Sequence, residues 1–498
     1  MCLASRSGGA PKRVVTSEGK FMAEESLRPA SDMSADDRYV VVSIDSHVGP
    51  SVKEQLREYC EAEYLDDFDR FVCEMESQGL LHWRSSEASK AGAKESWSLG
   101  KSMAERGKAN TKQGNAAVKE LGQEEAERFG QQAGIRNADQ VGARFLQRSY
   151  EHSLAPGLQD HDARIRDMNE QGVAADVIFH GGLNGQSIPF STTGLISWGD
   201  SAYNNLEPVG VRIYNRWLAD FCSQAPERHA GIAHIPISDP EACVREIEWA
   251  AAAGLKGINL PAPRGDFPML NDPAWEPIWA ACADTGLSVN THGGGGEHYP
   301  YVGPGAQAMY MMETPFRTRR GLWVMIFSGV FDRYPNLKLV LTEQWMDWAP
   351  SAMADMDGLY NGPTGVAIRK TLPKPPSEYF RQNCFIGASF MSNGEAHLAL
   401  EHDLTLNVMW GDDYPHAEGT WPDTREAMRF TFSDIDPKYT RHFLGDTAID
   451  LYGLDRAKLT KVAADIGPTA AEVATPYTLP EDAVVGLYAF RTGPGIFI

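Results

Sequence analysis

The stretch "RIYNRWLADFCSQAPERHAGIAHIPISDPEACVREIEWAAAAGLKGINLPA" (residues 212–262) decides the fold. An amphipathic helical segment runs into the short apolar strand "AGIAHIPI" (230–237), and a second helical segment, "DPEACVREIEWAAAAG", runs into "KGINLPA" (256–262). Strands that alternate with helices in this way predict βα units and a parallel sheet. The same rhythm extends on both sides. "ARIRDMNEQG" leads into "AADVIFHG" (174–181), "DPAWEPIWAACADTG" into "LSVNTHGG" (287–294), and "RRGLWVMIFSGVFDRYP" into "LKLVLTEQ" (337–344). "CFIGASF" (384–390) and "LTLNVMWGDD" (404–413) follow, and "RYVVVSIDSHVGP" (38–50) opens the series. Eight such units predict an α/β fold closed into a (β/α)8 TIM barrel. An open doubly wound sheet is the alternative, but no strand here is followed by the GxGxxG turn that such a fold uses for phosphates.

At 498 residues, 42% hydrophobic and 23% charged, the chain is an ordinary globular protein by composition. Its formal charge of -21 argues against nucleic acid as a partner, because binding phosphates requires concentrated Lys and Arg. Seven cysteines are scattered singly without a CxxC pair, which suits reduced thiols better than a disulfide framework. No apolar run reaches the roughly 20 residues that span a bilayer, and the N-terminus lacks the apolar core of a secretory signal. A cytoplasmic location with no membrane partner is expected. Residues 1–37 read as a flexible arm and 38–455 as the barrel. Residues 80–150, rich in Lys, Glu, Ala, Gly and Gln, read as a helical insert after the first strand, and 456–498 as a C-terminal extension.

Polar and ionisable residues stand where the strands end, and in a barrel those ends converge on one face. Asp45 and His47 are two apart on the first strand, so their side chains share a face. A shared metal and a simple Asp–His hydrogen bond are both compatible with that spacing. His292 ends the fifth strand with Asn290 and Ser288 on the same face, and the glycines after it let backbone approach a ligand closely. Glu343 ends the sixth strand beside Trp345 and Trp348 and reads as a ligand, a base or the partner of an arginine from "FRTRRG" (Arg317, Arg319, Arg320). His180 ends the second strand, His234 lies within the third, and His298 follows the glycines. Asp412 and Asp413 end the eighth strand, where alternation turns only one of them inward. Imidazole and carboxylate donors together suit zinc, with manganese or cobalt as alternatives.

"IDSH", "NTHGG" and "WGDDYPHAEGTWP", followed by "FLGDTAIDLYGLD", resemble the amidohydrolase superfamily, in particular the branch that includes aminocarboxymuconate-semialdehyde decarboxylase. The likeness covers roughly residues 39–455. It implies a distorted (β/α)8 barrel holding one divalent metal through Asp45, His47, His292 and Asp413. Two positions depart from the family pattern. Asp45 stands where His or Glu is usual, and Thr342-Glu343-Gln344 stands where the decarboxylases carry a histidine before glycine.

That second departure makes a metal-dependent hydrolase the leading expectation, with a small aromatic or carboxylated substrate attacked by metal-activated water. Asp413 would serve as base, His180 or Glu343 would assist the leaving group, and Arg317, His298, Trp345 and His416 would contact substrate. A metal-dependent non-oxidative decarboxylase of an aromatic or muconate-like acid is the alternative. A barrel that binds a metabolite without turnover is the third reading, and a homo-oligomer is expected throughout.

Overall fold

A computed structural model describes residues 33–77, 148, 151–181, 186–190, 203–237, 239–260, 268–293, 306–480 and 489–491. Eight strands form one sheet in sequence order: β1 (Val41–Val48), β2 (Val173–His180), β3 (His229–His234), β4 (Gly257–Asn259), β5 (Ser288–His292), β6 (Leu339–Thr342), β7 (Cys384–Ser389) and β8 (Val408–Gly411). Each pairs in parallel with the next. The chain leaving β8 completes the circle. The backbone N–H of Asp413 donates to the Asp45 carbonyl (3.0 Å), and that of His47 donates to the Tyr414 carbonyl (2.7 Å). The architecture is the (β/α)8 barrel that the sequence predicts.

Helices connect the strands, and their ends are written locally. The helix His161–Gln171 starts where the Asp160 side chain accepts the Ala163 N–H, and it stops at Gly172, whose φ of 80° favours glycine. Asp239 caps Pro240–Ala252 in the same way. Alternation on the strands sorts side chains into two apolar layers. Val42, Ile44, Val177, Phe179, Ala230, Ile232, Val340 and Met409 form one cluster, joined by Tyr452 and Leu459. Val41, Ile178, Leu339, Leu341, Ile386 and Val408 pack into the larger layer shared with the helices. Deep burial of both faces is what a parallel barrel requires.

The 80–150 insert and the 1–37 arm lie almost wholly outside the described residues. The C-terminal extension begins with the helix Arg456–Ile466, whose Leu459 is completely buried in the cluster that includes β2.

Candidate metal centre

On β1 the register with β2 shifts between Ser43 and Ser46, an irregularity that redirects side chains at the point where Asp45 and His47 stand. Both are fully buried. Asp45 Oδ1 lies 3.0 Å from His292 Nε2 and 3.4 Å from His47 Nε2, while Ser389, at the end of β7, donates its hydroxyl to Asp45 Oδ2. His47 Nε2 lies 3.1 Å from Asp413 Oδ1. His416 stacks on His47 with ring centroids 4.1 Å apart and brings Nδ1 to 3.4 Å from the same Asp413 oxygen. Glu343 Oε2 lies 3.5 Å from His292 Nδ1. The residues expected at β1, β5, β6 and β8 therefore meet at one place.

Ligand atoms of Asp45, His47 and His292 fall within 4.8 Å of one another, as do those of His47, Asp413 and His416, and those of Glu343, Asp413 and Glu418. Asp413 Oδ2, His416 Nε2 and His47 Nδ1 are buried without a hydrogen-bond partner. Burial, with Asp45, Glu343 and Glu418 nearby, drives the Asp413 carboxyl well above its ordinary range. Burial likewise raises Glu343 to about 8. His292 goes the other way: burial opposes its charge, yet the Asp45 carboxylate outweighs this and lifts it to about 9. A divalent cation would relieve this crowding of carboxylates and give the unpartnered Asp413 Oδ2 a partner, so the set fits one such ion.

Asp412 points elsewhere. Its Oδ1 accepts from Ser43 Oγ (2.6 Å) and from the Tyr414 N–H (3.2 Å), and burial pushes its carboxyl up to about 7.

Several expected contributors make their side-chain contacts elsewhere. On β2 it is Phe179 that lies beside the cluster, with its ring 4.9 Å from that of His292 and 6.4 Å from that of His47. His180, the next residue, packs edge-on against Tyr214 (5.1 Å) and stands 6.0 Å from His234. Arg317 bonds Glu313 and Thr314 on its own helix, Ala306–Phe327. Arg319 grips the chain after β6, donating to Gln344 O (2.9 Å) and Oε1 (3.1 Å) and lying over the Trp348 ring. Trp345 is buried in this same segment, while His298 falls outside the described residues.

Three neighbours lie outside the residues expected from sequence. Glu418 stands two residues past His416 in the quoted "DDYPHAEG" run, so its spacing was available as a signal. Ser389 carried none, since one hydroxyl at a strand end is unremarkable. Arg164 was equally hidden: it is buried, donates to the His47 carbonyl (2.8 Å) and pairs with Asp176 (2.7 Å).

A family model described as Amidohydrolase matches residues 193–454. The chain belongs to the amidohydrolase family. Among curated proteins, this amidohydrolase is 26% identical over 310 residues to a 2-amino-3-carboxymuconate-6-semialdehyde decarboxylase of Dictyostelium discoideum, covering 60% of its own length and 78% of the relative's. It is 25% identical over 293 residues to a gamma-resorcylate decarboxylase of Rhodococcus jostii, covering 55% and 83%. Among solved structures, a 5-carboxyvanillate decarboxylase of Novosphingobium aromaticivorans, determined with bound manganese, superposes with a TM-score of 0.53 at 16% identity, covering 85% of this chain and 99% of that one. The last comparison concerns the fold. No helix among the described residues is long and apolar enough to cross a membrane.

Proposed function

We propose that this amidohydrolase is a metal-dependent, non-oxidative decarboxylase of a small aromatic or similarly conjugated carboxylic acid. The observation that carries the reading is the pair of curated relatives, both decarboxylases, aligned over roughly four fifths of their lengths. It reverses the order expected from sequence, where hydrolysis led.

Asp45, His47, His292 and Asp413 would hold the ion. When bound, a divalent ion supplies a Lewis acid that anchors and polarises the substrate's oxygens. The imidazole and carboxylate donors suit zinc, manganese or cobalt, and manganese is the ion named for the structural neighbour. The remaining chemistry falls to the chain. In decarboxylation a proton is added to the carbon that bears the carboxylate, the carbon–carbon bond breaks, and carbon dioxide leaves with no net redox change. Glu343, 22% exposed and beside His292, stands at the strand end where a proton carrier is needed. Its place in the Thr342-Glu343-Gln344 run gives the carboxyl the task that a histidine would perform elsewhere. Phe179, its ring 4.9 Å from that of His292, gives the centre an apolar wall. Asp413 keeps its neighbours His47 and His416 oriented.

Hydrolysis remains the second reading, favoured by the family's name and by a carboxylate at Asp413 able to serve as a base. The two separate in one assay. Metal-loaded protein is offered aromatic acids, amides and lactones, and carbon dioxide release is measured beside incorporation of labelled water. Carbon dioxide from at least one acid supports the proposal. Hydrolysis of amides or lactones with none from any acid overturns it.

A further inference from the structure

The family match ends at residue 454, yet residues 489–491 are buried against the barrel. Phe490 anchors this tail, its ring 5.5 Å from Phe430 and 5.9 Å from Tyr477, and Ala489 packs with Ala427. The next residue turns inward. Arg491, its side chain 2% exposed, forms an ion pair with Glu395, which is wholly buried, and its guanidinium carbon lies 5.8 Å from the centre of the Trp345 ring.

Glu395 ties two loops together. Its carboxylate accepts the Met346 N–H (2.9 Å) from the segment after β6, and the Ser392 N–H (2.9 Å) and hydroxyl (3.0 Å) from the segment after β7. The segment after β6 needs such a hold. Glu343 and Trp345 have φ values of 55° and 46°, a left-handed backbone that side-chain-bearing residues rarely adopt. Arg319 grips Gln344 from one side. From the other side, Arg491 neutralises the carboxylate that holds Met346 and covers the face of Trp345.

We infer that Arg491 is a positioning residue: through Glu395 and Trp345 it holds the segment 343–346 in its strained form, and so keeps Glu343 against His292. The inference rests on Glu343 belonging to the site, not on which reaction the site performs. Removing the guanidinium would leave Glu395 as an unpaired buried carboxylate, which is far more costly than the loss of an exposed pair. That carboxylate would then draw in water, loosen its bond to Met346, and release the strained backbone.

The test uses the full chain without substrate. Amide hydrogen exchange is followed by mass spectrometry in the parent, Arg491→Gln, Arg491→Lys and the double variant Arg491→Gln/Glu395→Gln. Arg491→Gln should raise exchange in peptides spanning 343–348 by about tenfold or more while peptides from β1 stay unchanged, as expected for local rather than global opening. The double variant, with no unpaired charge, should recover much of the protection, and Arg491→Lys part of it. Unchanged exchange at 343–348, or a rise spread evenly over the barrel, would overturn the assignment. If Arg491→Gln does not accumulate folded, Arg491→Lys against the parent gives the same reading: a local rise supports it, and no change overturns it. In the metal-loaded enzyme the variants should lower kcat with less than about a twofold change in metal affinity, because no proposed ligand is touched. The exchange arm needs no turnover, so its failure and failure of the decarboxylase reading are separate results.

Discussion

Asp413 donates its backbone N–H to the Asp45 carbonyl at 3.0 Å, so one of the bonds that close the barrel also sets two carboxylates of the candidate centre side by side. Both side chains then reach His47, Asp45 at 3.4 Å and Asp413 at 3.1 Å. Closure of the fold and assembly of the site are one event.

Asp413→Asn is expected to lower turnover by about 100- to 10,000-fold, the range for a lost acid–base or ligand group, and to cut bound metal measured by elemental analysis. Asp412→Asn should leave both within about threefold, because an amide keeps the acceptor that Ser43 and Tyr414 use. The reverse ranking would show that the inward acid has been misassigned.

Glu343→Gln should abolish proton delivery while leaving metal content intact. For a decarboxylase, kcat should fall by about 100-fold or more with KM little changed. Equal loss of metal and activity would instead make Glu343 a ligand.

Chelation followed by dialysis should lower the melting temperature, and added zinc or manganese should restore it. An ion present at 100 times its Kd stabilises the folded state by about 2.7 kcal/mol. A melting curve indifferent to chelator and to both ions would count against the centre.

Arg164 is fully buried, pairs with Asp176 and donates to the His47 carbonyl. Arg164→Ala should cost about 3–5 kcal/mol by leaving Asp176 without its main counterion, read from denaturant unfolding. The same pair predicts a pH dependence. Burial works to raise the Asp176 carboxyl, but Arg164 and His229 overcome it and hold it well below the usual range. A folded-state value below the unfolded one, about 3.9, means the contribution is complete above that pH and is lost as pH falls toward the folded value. Parent stability should therefore drop below about pH 4, and Asp176→Asn should flatten that slope. A slope unchanged by the substitution would place the acid sensitivity elsewhere.

The strands were legible because each is a short apolar run fed by an amphipathic helix, a pattern that survives without tertiary information. Asp45, His47 and His292 stood out as candidates for a related reason, since polar residues at the ends of apolar strands are costly unless they converge on something, whereas the choice of Asp413 over Asp412 rested on the family resemblance. His180 shows where that logic stops. It ends β2 as His292 ends β5, yet Phe179 lies beside the cluster and His180 against Tyr214, because strand parity near an irregular β1 is set by register, and register is not written in one strand. Arg164 and Arg491 were hidden for a different reason. A surface arginine and a buried one look alike in sequence, and only the docking of distant segments tells them apart.

His47 and Asp413 stand 366 residues apart in the chain. A ribosome thus releases Asp45 and His47 long before their partners: His292 of β5 follows first, and Asp413, past β8, follows last. The four-residue set is complete only once the chain past β8 has emerged and paired with β1. Any chain truncated ahead of Asp413 would leave the first strand's edge unpaired there and keep only three of the four candidate ligands.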